Sequence, residues 1–303
     1  MLTVFGSINL DVSVRSPRLP RPGETLLGKG ALLSPGGKGA NQAHAAQRFG
    51  IHTQLFGMVG DDAFARPALE RLMHAGVDVS GVGVSASDQT GLALITVSDV
   101  GENTIVVAPG ANLAARAAQV SDAVLRASSV LLLQLEVPLS ESLALARRAR
   151  TLGCKVVLNA SPLPPDAALD VSAIDLLIVN ALELEQLRAP RPIPGSDPME
   201  RARVLAASLH VDVLVTLGAE GSFMARADGQ QAAARALAVT PVDTTGAGDT
   251  YAGVLCAAMA SGEPPQRAMD FAAVAAGLAC LRSGAQLAQP SRSEIDERMS
   301  DKQ

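Results

Sequence analysis

The residues best suited to chemistry lie in the segment DTTGAGD, residues 243–249, which precedes an alanine-rich stretch that is typical of a helix. Small residues at 246–248 let the backbone turn tightly, and successive amides at a helix N-terminus can converge on an anion. Asp249 would lie in the first turn, where its carboxylate could take a proton from an attacking hydroxyl. We interpret Gly246, Ala247, Gly248 and Asp249 as an anion hole with a general base. The alternative is an ordinary helix N-cap preceded by a glycine-rich loop, which the same sequence would fit.

A second glycine-rich segment, PGGKGANQ at residues 35–42, lacks the spacing of a Walker A loop. Its glycines allow a ligand to approach the backbone, and Lys38 and Asn41 offer donors for hydroxyl groups. Asn9 and Asp11 follow the first predicted strand, at the edge where open α/β sheets bind ligands. Because they are two residues apart on an extended segment, they face the same side and suit vicinal hydroxyls. The alternative for the glycine-rich segment is a plain loop-to-helix turn, and the alternative for Asn9 and Asp11 is an Asx turn.

Three further polar positions follow predicted strands. Asn180 and Glu183 come after DLLIV, and their spacing puts them on one face of a helical turn, where they could hold a hydrated Mg²⁺. An N-cap Asn with a Glu at the helix start is the alternative. The loop TLGAEG, residues 216–221, has small residues that suit contact with a nucleotide. Glu136 ends the run LLLQLE, and the sequence leaves open whether its carboxylate is solvated or faces a site.

These segments must be positioned by alternating strands and helices. The strand candidates are 2–8, 53–59, 129–135, 155–159, 175–179 and 212–217. The helix candidates are 39–49, 63–75, 114–127, 139–152, 198–209, 247–261 and 264–282. Such alternation implies parallel strands joined by crossover helices, so we expect an α/β fold with a doubly wound, mostly parallel sheet flanked by helices. The proline-rich residues 189–198 are expected to form a surface loop.

Two stretches lack helical periodicity. Residues 10–35 contain two predicted strands, near 10–15 and 25–33, and residues 91–107 are predicted to form a β-hairpin. Together they predict a small β-sheet lid over one edge of the main sheet. No internal repeat or linker divides the chain, so we expect one domain spanning 1–303.

Composition excludes several classes of function. Of 303 residues, 48% are hydrophobic and 18% charged, so the chain can bury a sizeable core. The formal charge of −5 argues against a nucleic acid partner, since phosphate-backbone binding needs a basic face. We find no apolar run of membrane-spanning length and no signal-like segment, so we expect no membrane partner and a cytoplasmic location.

Taken in order, these segments resemble the PfkB family of carbohydrate kinases. The resemblance runs from Val4 to about Ala288 and includes GSINLD, PGGKGANQA, GEN, QLE, TLGAEG, DTTGAGD and SGAQ. It implies an ATP-dependent transfer of the γ-phosphoryl group to a primary hydroxyl of a small sugar, with D-ribose, giving D-ribose 5-phosphate, as first choice. Deoxyribose, fructose or another ketose, and a nucleoside are alternative substrates. A non-catalytic sugar-binding protein is the third hypothesis.

The resemblance also implies roles for single residues. The sugar would be contacted by Asn9, Asp11, Gly37, Lys38, Asn41 and Glu136. Asp249 would deprotonate the attacking hydroxyl, while the backbone amides of Ala247, Gly248 and Asp249 stabilise the transferring phosphoryl group. The nucleotide would be contacted by Asn180, Thr216, Gly218, Gly221 and Gly248.

Ions and a partner subunit are implied in the same way. Asn180 and Glu183 would order Mg²⁺ and its waters. A monovalent cation, usually K⁺, would be bound by the Asp243 carboxylate and by the carbonyls of Thr245, Ala279, Arg282 and Gly284. The lid resembles the β-clasp of the family, which commonly pairs between the subunits of a homodimer.

Two positions depart from the family pattern. Two residues past the helical Phe271, where Asn or His is usual, the chain has Ala273, so a polar contact to the nucleotide is lost. Ala288 stands where the family often has Ser, which removes one oxygen ligand for K⁺. We therefore expect weaker nucleotide affinity or selectivity and a weaker requirement for the cation.

Overall fold

The computed structural model describes residues 1–163, 169–188 and 197–300, in which strands and helices alternate. The strands are β1 (Leu2–Phe5), β2 (Asn9–Ser16), β3 (Ala31–Gly36), β4 (Thr53–Gly60), β5 (Asp78–Ser85), β6 (Gly91–Ser98), β7 (Asn103–Ala108), β8 (Val130–Leu133), β9 (Lys155–Asn159), β10 (Leu176–Asn180), β11 (Asp212–Thr216), β12 (Ser222–Ala225) and β13 (Gln231–Ala234). The helices are α1 (Lys38–Phe49), α2 (Ala65–Ala75), α3 (Asp122–Ala127), α4 (Leu139–Thr151), α5 (Ala181–Gln186), α6 (Pro198–Leu209), α7 (Ala247–Ala260), α8 (Pro265–Ala279) and α9 (Arg292–Ser300).

The main sheet has the order β13-β12-β11-β10-β9-β8-β1-β4-β5. All neighbours are parallel except at one edge, where β12 runs antiparallel to β11 and to β13. The expected doubly wound, mostly parallel sheet is therefore confirmed. In such a sheet the polar residues that follow β1, β8, β9 and β10 all lie at the carboxyl ends of the strands, where open α/β sheets bind ligands.

The core lies in two layers, one on each face of this sheet. On β8, Val130 and Leu132 pack into one layer and Leu131 and Leu133 into the other, as the two-residue period of a strand requires. Buried residues of α1, α2, α7, α8 and α9 belong to the first layer, and those of α3 to α6 belong to the second. Both faces are covered, which explains why the central strands are apolar throughout.

A second sheet, which we call the lid sheet, has the order β3-β2-β6-β7. The predicted hairpin over 91–107 forms as β6 and β7. The predicted strand at 25–33 is displaced, because β3 spans Ala31–Gly36 and pairs with β2 from Val14↔Ala31 to Asn9↔Gly36. Gly23 and Gly30 both have positive φ, so the chain turns before β3 instead of extending through residue 25.

Other boundaries also differ from the expectations. The predicted helix 114–127 is wrong, because 3₁₀ turns at Gly110–Ala114 and Ala117–Gln119 precede the short α3. Ser121 starts α3 by accepting a hydrogen bond from the Val124 amide at 3.3 Å. The strands β5, β12 and β13 and the helix α9 were not predicted, whereas α5 begins at the helical turn expected for Asn180 and Glu183. The expected loop at 189–198 lies almost wholly outside the described residues. No described helix is long and apolar enough to cross a bilayer.

Candidate active site

The first glycine-rich segment brings the start of α1 against the end of β1. Gly37 has φ +88°, and a Cβ there would lie 2.8 Å from the Asn9 nitrogen and the Ser7 carbonyl oxygen. A Cβ on Gly39 would lie 2.6 Å from the Gly6 carbonyl carbon. Any side chain at these two positions would push α1 away from β1. The glycines thus allow the side chains of the first turn of α1 to reach the edge of the sheet.

Asp249 lies in the first turn of α7, as the sequence predicts, and only 7% of it is exposed. Asn41 Nδ2 donates to its Oδ2 at 2.9 Å, and Gln42 Nε2 donates to its Oδ1 at 3.1 Å. Both carboxylate oxygens are therefore fixed by neighbouring residues of α1. A carboxylate held in this way keeps lone pairs for a proton from a bound hydroxyl.

Gln42 is a site residue to which the sequence assigned no role. Its Nε2 is shared between Asp249 and Asn159 Oδ1, the latter at 3.0 Å, and its Oε1 accepts from Gln134 Nε2 at 2.6 Å. The three amide side chains thus connect α1, β9 and the end of β8 beneath the Asp249 carboxylate. Its place directly after Asn41 in the glycine-rich segment was the only available signal.

The carboxylates of Asp249, Glu136 and Glu183 interact electrostatically with the Lys38 ammonium, and those of Glu136 and Asp249 also with Asp11; we call this group the acidic cleft. Glu136 Oε2 accepts hydrogen bonds from the Ser7 hydroxyl at 2.5 Å and from the Lys38 amide at 3.1 Å. Glu136 therefore faces the site, which settles the question that the sequence left open.

Electrostatics within the acidic cleft are strong. Burial, followed by the negative charges of Glu136 and Asp249, raises the pKa of Asp11 to about 6. Burial alone would lower the pKa of Lys38, but Asp249, Glu136 and Glu183 outweigh it and the pKa is raised. Lys38 is thus held as a cation among carboxylates. Such a cleft offers acceptors for several hydroxyl groups and one strong donor.

Asn9 is positioned by a second unpredicted residue, Asn112. The Asn112 side chain donates to Asn9 Oδ1 at 2.7 Å and accepts from the Ile8 amide at 2.9 Å. Gly91 permits this contact, because a Cβ there would lie 2.3 Å from Asn9 Oδ1. The Asn9 side-chain nitrogen donates to no residue among those described, so its two N–H groups can bind other partners. Asn9 and Asp11 share one face of β2, next to the start of α1.

The loop before α7 has the shape of an anion hole. Gly246 has φ +75°, and a Cβ there would lie 2.9 Å from Ala285. The Ala247 amide donates to the Thr244 carbonyl at 3.2 Å, and the Thr250 amide donates to Gly246. The amides of Gly248 and Asp249 meet no acceptor within the described residues. These two donors at a helix N-terminus are therefore free to bind an anion.

A cavity of about 520 Å³ opens beside this loop, and we call it the apolar cavity. The predicted nucleotide residues Thr216, Gly218, Gly221 and Gly248 all line it. Ala273 lines it as well, so the departure from the family pattern falls inside the cavity. Leu237, Val239 and Pro241 also line it and were not predicted, because apolar residues in a loop give no pattern. Asn180 is not part of this wall.

Asn180 and Glu183 form a reciprocal capping box at the start of α5. Asn180 Oδ1 accepts from the Glu183 amide at 2.8 Å, and Glu183 Oε2 accepts from the Asn180 amide at 2.9 Å. Glu183 is buried, and its negative charge helps to raise the pKa of Lys38. Within the described ranges, no group of three or more His, Cys, Asp or Glu residues could hold a metal. This donor set suits a Mg²⁺ that keeps its waters and takes oxygens from a phosphate.

Asp243 joins the loop before α7 to the segment that follows α8. Its Oδ1 accepts from the Thr245 amide and its Oδ2 from the Gly284 amide, both at 2.9 Å. Burial would raise its pKa, but these hydrogen bonds outweigh burial and lower it, so the carboxylate is ionised. The predicted K⁺ ligands at 243–245 and 279–284 are thus brought together. Two of the carbonyls, those of Ala279 and Gly284, already accept backbone amides at 3.3 and 3.2 Å.

Comparison with known proteins gives consistent results. Residues 1–292 match the model of the pfkB family carbohydrate kinases. The chain is 36% identical to the ribokinase of Haemophilus influenzae, covering 98% of this chain and 97% of the relative, and 32% identical to that of Bacillus subtilis, covering 99% of each. The structure of Arabidopsis thaliana ribokinase complexed with ribose and ATP matches with a TM-score of 0.89 at 31% identity, covering 98% of this chain and 97% of the other.

Proposed function

Because the chain belongs to the pfkB family of carbohydrate kinases, we propose that it is an ATP-dependent ribose kinase that forms D-ribose 5-phosphate. One observation carries the proposal. The Asp249 carboxylate, held by Asn41 and Gln42, lies in the acidic cleft, and the free amides of Gly248 and Asp249 lie where the cleft meets the apolar cavity. A base and an anion hole therefore meet at the point where an alcohol and a terminal phosphate would react.

In the proposed reaction the acidic cleft binds the sugar. Asn9, Asp11, Lys38, Asn41 and Glu136 contact its hydroxyls, and Gly37 allows the sugar to approach the backbone. Asp249 takes the proton of the 5-hydroxyl as the oxygen attacks the γ-phosphorus. A new phosphorus–oxygen bond forms, the bond to the β-phosphate oxygen breaks and ADP leaves. Positioning and electrostatics supply most of the rate in such transfers.

The apolar cavity is proposed to hold ATP. Thr216, Gly218 and Gly221 would lie along the nucleotide, and the apolar wall would receive the base. With the phosphates directed at the start of α7, the amides of Gly248 and Asp249 meet the transferring group. The Ala247 amide already has a partner in Thr244, so we assign the anion hole mainly to the two following amides.

Two ions would complete the site. Glu183 and Asn180 would hold the waters of a Mg²⁺ near the phosphates, and that ion would neutralise their developing charge. A K⁺ beside Asp243 would stabilise the loop 243–248 in the geometry that aims its amides outward. Ala288 is buried and offers no side-chain oxygen, so we propose a modest dependence on K⁺.

We also propose that residues 1–303 form one cytoplasmic kinase domain and that two lid sheets pair in a homodimer. Supporting this, Leu94 and Val106 are 51% and 65% exposed and lie opposite each other on neighbouring strands of the lid sheet. Leu94→Glu is expected to shift the protein from dimer to monomer in analytical ultracentrifugation. A wild-type protein that sediments as a monomer would remove the dimer from the proposal.

The substrate is tested by measuring ADP release with D-ribose, 2-deoxyribose, D-fructose and adenosine in the presence of Mg²⁺ and K⁺. We expect the highest kcat/KM with D-ribose. Activity with adenosine and none with ribose would mean that the substrate is a nucleoside, while the assignment to the pfkB family would stand. Tight binding of ribose without any ADP release would favour the non-catalytic alternative.

A further inference from the structure

A second large cavity lies away from the proposed active site, between α1, α2, the lid sheet and the segment that follows α8. Its volume is about 580 Å³, and it shares no lining residue with the apolar cavity. Leu10, Leu33 and Pro35 of the lid sheet form one wall. The opposite walls carry arginine, histidine and glutamine side chains. We call it the cationic cavity.

The positive charge of this cavity is only partly balanced. Arg282 is paired with Glu294 at 2.6 Å, whereas Arg48 reaches the same carboxylate only at 3.6 Å. The Arg48 Nε is buried and has no hydrogen-bond partner within the described residues. Arg71 makes no ion pair with any described residue. Arg48 and Arg71 both line the cavity, and guanidinium groups are the donors that proteins use for planar anions and phosphates.

His74 adds a further nitrogen donor to the same wall, and Glu70 is the one acidic residue among those described that line the cavity. Glu70 is exposed on the outer turn of α2, where water screens its charge. The three guanidinium groups of Arg48, Arg71 and Arg282 outnumber the carboxylates of Glu70 and Glu294, so the cavity is attractive to an anion.

The inner wall offers acceptors instead. Gln289 uses its Nε2 to bind the Asn41 carbonyl, so its Oε1 must receive the hydrogen of His44 Nδ1 at 2.5 Å. His44 Nε2 is then an acceptor, and burial together with Arg48 and Arg71 lowers the pKa of His44 to about 4, so the ring is neutral. The Gln286 Oε1 is also buried without a donor among the described residues. These atoms require hydrogen-bond donors, which a hydroxyl group supplies.

We propose that the cationic cavity binds a small phosphate ester that carries hydroxyl groups, such as a sugar phosphate, as a ligand separate from the substrates. The phosphate is bound by Arg48, Arg71 and His74. The hydroxyls donate to His44 and Gln286 on the inner wall. A cavity of this volume accommodates a phosphorylated pentose or hexose.

The same inner wall leads to the catalytic base. Gln286 Nε2 donates to Asn41 Oδ1 at 3.1 Å, and Gln289 Nε2 donates to the Asn41 carbonyl at 3.0 Å. Asn41 Nδ2 in turn donates to Asp249 Oδ2 at 2.9 Å. A ligand that reorients Gln286 or His44 therefore changes how Asn41 holds Asp249, and the lid sheet is in contact with the same ligand. Ligand binding is thus expected to change the affinity for the sugar.

Calorimetric titration of the whole protein with D-ribose 5-phosphate tests the proposal. Saturating D-ribose and a non-hydrolysable ATP analogue are present, so that the active site is filled. We expect saturable binding that Arg71→Gln weakens about tenfold or more, since a charge-assisted hydrogen bond is lost. Arg66→Gln is the matched control: Arg66 is exposed on the same helix and does not line the cavity. If Arg71→Gln fails to fold, His74→Gln takes its place.

Each outcome supports or overturns a part of the proposal. Absence of saturable binding, or equal loss in both arginine variants, overturns the site. Equally tight binding of inorganic phosphate overturns the role of the hydroxyls. Coupling is measured by titrating D-ribose with and without the phosphate ester. If the two sites are linked, Arg71→Gln removes the difference between the two D-ribose affinities. A difference that persists in this variant overturns the path through Asn41. Calorimetry detects binding without turnover. A protein that binds the phosphate ester but has no kinase activity would therefore contradict the proposed kinase function and leave the second site intact.

Discussion

The acidic cleft and the apolar cavity adjoin at the N-terminus of α7, yet they are built in opposite ways. In the cleft, the carboxylates of Glu136 and Asp249 are aimed by hydrogen bonds from amides and a hydroxyl. In the cavity, the wall consists mostly of glycines and apolar side chains, with Gly218 and Ala273 among them. One region recognises a ligand by charge and direction, and the other by shape.

This difference predicts how each region responds to mutation. A displaced or neutralised group in the cleft removes a directed interaction that nothing else supplies, and the loss falls on kcat. In the cavity, many weak contacts share the affinity, so a single change alters KM by a modest factor. The variants below test this contrast, beginning with the largest expected effect.

Asp249→Asn removes the proposed base while retaining the size of the side chain. We expect kcat for ADP release to fall by about 10²–10⁴-fold, the usual range for loss of a general base, because an amide cannot accept the hydroxyl proton. ATP binding should change little, since the backbone amides remain. Asp270→Asn on the neighbouring α8 is the control and should retain full activity. Near-normal turnover by Asp249→Asn would contradict the assignment of the base.

Gly246→Ala tests the boundary between the two regions. Alanine at φ +75° would be strained by roughly 1–2 kcal/mol, and its Cβ would meet Ala285 at 2.9 Å. We expect a loss of kcat near 10²-fold, as for removal of an oxyanion donor, because the loop must shift. Gly262→Ala at the other end of α7 is the control. Gly262 has φ +84° and open space around an added Cβ, so this variant introduces the same backbone strain without a steric clash. Equal activity losses in both variants would place the effect in stability rather than in the anion hole.

Gln42→Leu tests whether the amide network beneath Asp249 positions the base. The change leaves Asp249 Oδ1 without that donor and the Gln134 amide without its acceptor. Because an unsatisfied buried group costs about 1–3 kcal/mol, we expect kcat to fall about tenfold or more with little change in KM for ATP. Gln47→Leu on the same helix removes only a bond to the Thr53 amide and is the control. A Gln42 variant whose kcat matches the control would limit Gln42 to a structural role.

The contrast between the regions also explains what the sequence could predict. The parallel sheet, the β6–β7 hairpin and the position of Asp249 follow from local periodicity and from glycine and acidic residues close together in the chain. Gln42 and Asn112 carry no charge, and the partners of Gln42 at Asn159 and Asp249 lie 117 and 207 residues further along. Their roles depend on tertiary contacts, which local patterns do not encode. The same holds for the apolar wall, whose residues are ordinary loop residues in the sequence.

Asp11→Asn tests electrostatic strain in the acidic cleft. The pKa of Asp11 is raised from 3.8 to about 6, so between these values the folded protein keeps a proton that the unfolded chain has lost. The free energy of unfolding therefore falls as pH rises through this window. The variant should gain about 1–2 kcal/mol at pH 7.5, after allowance for solvent screening, and almost nothing at pH 3.5. KM for ribose should rise at the same time. Denaturant unfolding at both pH values measures the gain, and a variant that is less stable at pH 7.5 would contradict the strain.

The smallest effect is expected at Ala273, inside the apolar cavity. This residue is 5% exposed and lines the wall, so an asparagine there would place an amide against the nucleotide without touching the acidic cleft. One net hydrogen bond contributes about 0.5–1.5 kcal/mol, so KM for ATP should fall roughly three- to tenfold while kcat stays the same. The amide would also hydrogen-bond to the polar edge of the base, so the decrease in KM should be smaller for GTP than for ATP. If Ala273→Asn instead lowers kcat and leaves both KM values unchanged, the two regions are not separable, because a change in shape on the nucleotide side would then have reached the base.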